Sequence, residues 1–132
     1  MLADTNAAAT LAVKDIGAAR DFYENTLGLT QIEGGSPDPS AVLYRSGSSA
    51  VLVYESQYAG TNRATAASWA VGDEFDAIVE SLKAKEVTFE HYDDLPGTTR
   101  DGDVHLMGDL KVAWFKDPDG NILHINQSTA SA

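Results

Sequence analysis

The chain has 132 residues, 43% of them apolar, enough for one compact domain with a sizeable core. It contains no cysteine, which excludes disulfides, thiolate metal sites and a cysteine nucleophile. Twenty acidic residues against nine basic ones give a net charge of −11, which repels nucleic acid and suits a neutral or cationic small molecule.

The opening residues, MLADTNAAATLAV, have no basic segment followed by a long apolar run, so no signal peptide is expected. No stretch reaches the roughly 18–20 apolar residues of a membrane span. The expectation is a soluble, cytoplasmic protein with no membrane partner.

In chain order, Leu11-Ala12-Val13 reads as a strand running to Asp15. Asp15 is placed to cap a helix on which Ile16, Ala19, Phe22, Tyr23 and Leu27 recur at helical spacing, and Gly28 is placed to end it. Leu29–Ile32 reads as a short strand. The following Gly34-Gly35-Ser-Pro-Asp-Pro reads as a flexible loop, and not as a phosphate cradle, because no helix follows it. Val42–Arg45 and Ala50–Tyr54 read as a hairpin reversing at Ser46–Ser49, and residues 57–65 as a linker.

The pattern then repeats. Trp69-Ala70-Val71 with Asp73 echoes Leu11-Ala12-Val13 with Asp15, 58 residues on (69 − 11). Phe75, Ile78, Val79 and Leu82 mark a second amphipathic helix, and Val87–Glu90 a second short strand. Leu95–Asp109 reads as the longest irregular stretch. Ala113–Lys116 and Asn121–Ile125 read as a second hairpin, reversing at Asp117-Pro118-Asp119-Gly120, 71 residues after the first (113 − 42). Residues 127–132 read as a frayed tail. The fold class is α+β: two βαβββ modules, about 7–56 and 66–127, in one domain.

"LAVKDIGAARDFYENTLGL" and "VAWFKDPDGNILHI" resemble the opening and closing signatures of the vicinal oxygen chelate superfamily, which groups glyoxalases, bleomycin resistance proteins and dioxygenases. The resemblance spans nearly the whole chain. It implies curved mixed sheets around a cavity, helices outside, and a homodimer. It also implies metal-ligand positions, held by His or Glu in metal-dependent members, at Ala8, Val53, Ala66 and His124. Alanine and valine have no donor atom, and one histidine does not hold a divalent ion that needs about three protein ligands. No metal and no cofactor are therefore expected.

Strand alternation outward from Val53 and His124 puts Glu55 on the cavity side. Pairing across four-residue turns adds Val42, Tyr44, Ala113 and Phe115, and the first strands add Thr10 and Ser68. Leu11, Leu43, Leu52, Trp114, Leu123 and Ile125 are left to pack the helices. The expected ligand contacts are Tyr44, Val53, Glu55, Ser68, Phe115 and His124, with Tyr58, Tyr92, His105 and Met107 at the mouth. His91 and His105 read as surface or loop histidines. Asp117 and Asp119 need no role beyond turn chemistry.

The resemblance implies a metal-free binding protein that sequesters a small molecule, an aromatic or cationic natural product, as in the bleomycin-resistance branch. The alternative is a glyoxalase- or dioxygenase-like enzyme in the same cavity, with His124 as its catalytic base. A third reading is a family remnant that serves protein interaction, which calls for a filled cavity and an exposed apolar patch.

Overall fold

The computed structural model describes residues 1–35 and 38–129. The end of the expected tail and the middle of the Gly34–Pro39 loop lie outside the described residues. The chain divides into two compact units: 1–66 together with Asp117–Asn121, and 67–116 together with 122–132. Among the described residues, no helix is long and apolar enough to cross a membrane.

In the first unit, β1 (Ala9–Val13) pairs in parallel with β4 (Ser49–Glu55), and β4 pairs antiparallel with β3 (Ala41–Ser46). β2 (Thr30–Gln31) completes a four-stranded sheet on the far edge of β3. Helix α1 (Ile16–Arg20) starts where expected, with Asp15 Oδ1 accepting from the N–H groups of Gly17 (2.9 Å) and Ala18 (3.4 Å). It then widens into a π-helical segment, Asp21–Thr26, closed by Leu27 N–H donating to the Phe22 carbonyl at 2.9 Å. Gly28 follows at φ +76°, a left-handed turn that glycine adopts without a Cβ clash.

The Tyr23 ring stacks on Tyr44 at 6.2 Å between centroids, and the Tyr44 hydroxyl donates to Glu24 Oε2 at 2.7 Å. These contacts put Tyr44 beneath the helix. Register puts Val42, Val51, Val53, Leu11 and Val13 on the same face, all buried. Burying each such side chain contributes about 1.5–3 kcal/mol. Leu43 and Leu52 face the opposite way.

The Asp117–Asn121 turn also belongs to this unit. Asp117, 5% exposed, accepts from the Tyr23 hydroxyl (2.7 Å) and Asn121 Nδ2 (2.7 Å) on Oδ2. Its Oδ1 accepts from the backbone N–H groups of Asp119 (3.0 Å) and Asn121 (2.8 Å). Asn121 Nδ2 also donates to the Ala12 carbonyl at 2.7 Å. The sequence motif thus fastens a strand and a helix as well as reversing the chain.

The second unit carries a six-stranded sheet ordered β5-β10-β9-β8-β7. Its strands are β5 (Thr65–Ala70), β6 (Phe89–Glu90), β7 (Thr98–Asp101), β8 (Val104–Met107), β9 (Leu110–Lys116) and β10 (Ile122–Asn126). β6 pairs with β9 at Phe115 and Trp114, beyond the end of β8. Helix α2 (Phe75–Ala84) is entered through a 3-10 turn, Gly72–Glu74, with no side-chain cap. It buries Phe75, Val79 and Leu82, three residues of the expected stripe. Lys111 Nζ meets Asp76 Oδ1 of α2 at 3.2 Å, so α2 covers the face that carries Lys111, Ala113 and Phe115.

Two sequence expectations are corrected. Residues 95–109 are not irregular: β7 and β8 form a hairpin around Gly102-Asp103, and β8 turns into β9 around Gly108-Asp109. Both glycines sit at positive φ, +61° and +62°. The second correction is strand parity. The first hairpin closes on Ser46–Ser49 with two residues between, but the second closes on Lys116–Ile122 with five. The expected four-residue equivalence fails by one residue, and a one-residue slip inverts a strand's faces.

Candidate functional site

The second sheet has one face under α2 and one face away from it. On the face away stand Val112 and Trp114 of β9, Ile122 and His124 of β10, and His105 of β8, because His105 pairs with Val112 and His124 with Trp114. Val112, Trp114 and Ile122 form an apolar cluster against which Tyr92 and Leu110 pack. Three rings stand edge-on to Trp114: His105 at 4.9 Å and 90°, His124 at 5.5 Å and 84°, and Tyr92 at 5.5 Å and 80°.

This face has an unusual polar inventory. Tyr92 Oη, His105 Nδ1 and His124 Nδ1 are all buried with no hydrogen-bond partner. A buried polar group left unpaired costs about 1–3 kcal/mol, so three around one tryptophan call for an explanation. His105 is fully buried, and its Nε2 accepts from the Tyr92 backbone N–H at 2.9 Å. His124 Nε2 lies 3.2 Å from Asn126 Nδ2. Burial pushes both imidazoles below the usual histidine range; for His105 the nearby Asp93 charge opposes that shift. Both rings are therefore neutral at physiological pH.

The expected contacts fall out differently from the sequence expectation. Tyr44 and Val53 are fully buried in the first unit, on the helix-covered face of its sheet. Phe115 is buried against Phe89, on the α2 side of the second sheet and so on the opposite face from His124. The five-residue turn is the reason: it pairs His124 with Trp114, where a four-residue turn pairs it with Ala113, on the face that carries Phe115. Glu55 is exposed at the end of β4, and Ser68 is exposed on β5. Tyr92, His105 and Trp114 were assigned elsewhere from sequence, to the mouth, a loop and the helix-packed core. The signal for His105 was present in Gly102-Asp103, a two-residue reversal just before the alternating Val104-His105-Leu106.

The register also tests the metal positions that the family resemblance implies. Trp114–His124 in the second hairpin stands where Leu43–Leu52 stands in the first, 71 and 72 residues earlier. The fourth-strand position of the first module is thus Leu52 rather than Val53, and leucine is equally without a donor. Among the described residues, no group of three or more His, Asp or Glu side chains is placed to hold an ion. The donor set does not fit a divalent metal.

A family model described as the glyoxalase/bleomycin resistance protein/dioxygenase superfamily matches residues 6–125. No curated protein matches. Among solved structures, a monoclinic form of the genomically encoded fosfomycin resistance protein FosX from Listeria monocytogenes superposes with a TM-score of 0.70 at 16% identity, covering 96% of this chain and 92% of that one. An integron cassette protein from the mobile metagenome of Halifax Harbour sewage outfall gives 0.67 at 17% identity, covering 95% and 99%. FosX from Mesorhizobium loti gives 0.67 at 12% identity, covering 96% and 93%. At these identities the likeness is one of fold.

Proposed function

The chain belongs to the glyoxalase/bleomycin resistance protein/dioxygenase superfamily, and within it we propose a metal-free small-molecule binding protein that sequesters a natural product, working as a homodimer in the cytoplasm. The observation that carries the reading is the face around Trp114, where aromatic surface and three unsatisfied polar atoms occur together. Ligand sites combine apolar lining with a few polar groups that fix orientation, and this face has that composition. His124, proposed from sequence as a contact, lies on it.

Catalysis by His124 is the weaker reading. A general base needs a free lone pair; with Asn126 Oδ1 accepting from the Ser128 N–H, Asn126 Nδ2 is the group facing His124 Nε2 and donates to its lone pair, which leaves the ring proton on Nδ1. The family's resistance members make sequestration of an antibiotic the apt role. Two fosfomycin resistance proteins stand among the structural neighbours, although their ligand is not transferred to this chain by fold alone.

Elemental mass spectrometry of untagged protein tests the metal-free half of the proposal. Less than about a tenth of an equivalent of Ni, Zn, Fe or Mn, unchanged after incubation with those ions, is expected. About one equivalent per chain sinks the proposal in favour of a metal-dependent lyase or dioxygenase.

A further inference from the structure

The hydrogen bonds around Trp114 determine what kind of ligand the face accepts. His105 Nε2 accepts from the Tyr92 N–H, so the proton of this neutral imidazole sits on Nδ1. Asn126 Oδ1 accepts from the Ser128 N–H at 3.0 Å, which fixes the amide and makes its Nδ2 a donor to His124 Nε2. The His124 proton is thereby on Nδ1 as well. The two unpartnered ring nitrogens are both N–H donors, and the Tyr92 hydroxyl is a third available donor.

Donors call for lone pairs. An ammonium ligand would set donor against donor. A carboxylate or phosphonate supplies lone pairs but brings a charge that needs a free cation. The nearby cations are engaged: Arg100 with Asp93 at 2.6 Å, Lys116 with Glu90 at 3.1 Å, and Lys83 with Asp103 at 3.5 Å. The chain as a whole carries −11.

We propose that the face around Trp114 binds a neutral, flat ring system through carbonyl oxygens, of quinone or aryl ketone type, with His105, His124 and Tyr92 donating to them. This rests on the reading of the face as a ligand site. It narrows the neutral or cationic ligand suggested by charge to a neutral one.

Equilibrium dialysis of the untagged full chain against 1,4-naphthoquinone, naphthalene, 1-naphthylmethylammonium and 2-naphthoate at pH 7.5 separates the possibilities. No thiol is present to react with the quinone. Naphthoquinone is expected to bind at least roughly tenfold more tightly than the other three, since each matched neutral hydrogen bond is worth roughly three- to tenfold. Tyr92→Phe should weaken naphthoquinone by roughly three- to tenfold. The same variant should melt no lower than the parent, because it deletes a hydroxyl that has no partner. Long-range proton–nitrogen NMR should show Nδ1–H tautomers at both His105 and His124.

Tighter retention of the ammonium or the naphthoate refutes the acceptor inference while leaving the face a binding site. Equal retention of naphthalene and naphthoquinone shows that the donors are idle and likewise refutes it. Retention of none of the four refutes the inference and the binding reading together. An Nε2–H tautomer at either histidine removes the premise.

Discussion

Tyr23→Phe isolates one hydrogen bond at the centre of the first unit. The Tyr23 side chain is fully buried, and its hydroxyl donates at 2.7 Å to the Asp117 carboxylate. Burial first, and the Asp117 charge second, push the phenol well above its usual range, so it remains a donor throughout any practical assay. Phenylalanine keeps the stack on Tyr44 and the edge contact with Phe22, so the change removes the hydroxyl bond alone. A hydrogen bond to a charged acceptor is worth about 1.5–3 kcal/mol. Oδ2 keeps its bond from Asn121, so the carboxylate is not orphaned and the loss should be about 2 kcal/mol. With a urea slope of about 2 kcal/mol/M, the midpoint should fall by about 1 M at unchanged slope, read by far-ultraviolet circular dichroism. Asp117→Asn turns one accepting oxygen into a donor that faces donors, and should cost more, about 3–5 kcal/mol. A Tyr23→Phe loss under about 0.5 kcal/mol would show that the hydroxyl does not hold the turn.

Three further outcomes follow from other places in the fold. Helix α2 ends with Val87 N–H on the Leu82 carbonyl and Glu86 N–H on the Lys83 carbonyl, a Schellman closure with Glu86 at φ +65°. Glu86→Gly should therefore stabilise by about 0.5–1 kcal/mol, and a lowered melting temperature would count against the reading. At Gly60, φ is +74° and an added Cβ would stand 2.1 Å from the Asp119 carbonyl oxygen, so Gly60→Ala should destabilise by at least about 2 kcal/mol in the same urea assay. The depressed folded-state values of His105 and His124 mean that the unfolded chain takes up protons first as pH falls below 6.5, the ordinary histidine value. Stability should therefore be full above that pH and decline below it, and His124→Leu should shrink the decline between pH 7.5 and 5.5. An unchanged decline in that variant would mean that His124 does not take up the proton.

Much of the fold was legible because hydrophobic periodicity and turn chemistry act locally. Asp15 caps α1, Phe75, Val79 and Leu82 form the buried stripe of α2, and the two hairpins lie where Gly and Asp-Pro-Asp-Gly put them. The π-helical widening at Asp21–Thr26 left no mark in the apolar spacing, since Phe22, Tyr23 and Leu27 suit an ordinary helix as well. Residues 98–107 were missed because the run is short and polar outside Val104, Leu106 and Met107. The site was the least legible part. His124 was singled out, but its neighbours depended on whether four or five residues separate β9 from β10. Turn composition does not report that count. The orphaned nitrogens of His105 and His124 depend on contacts to Tyr92 and Asn126 that no spacing rule encodes.

The unequal hairpin turns bear on how a duplicated gene segment acquires a second role. Two copies of one module begin with the same alternation, so divergence by substitution must rebuild a strand position by position. A single codon gained or lost in the turn reverses the whole downstream strand at once, exchanging what it shows to the helix for what it shows to the other side. In the copy with the two-residue turn, the place of Trp114 and His124 is taken by Leu43 and Leu52. Both pairs face away from their helix, so it is the identity of the residues at these places that leaves one copy apolar there and lets the other present imidazoles.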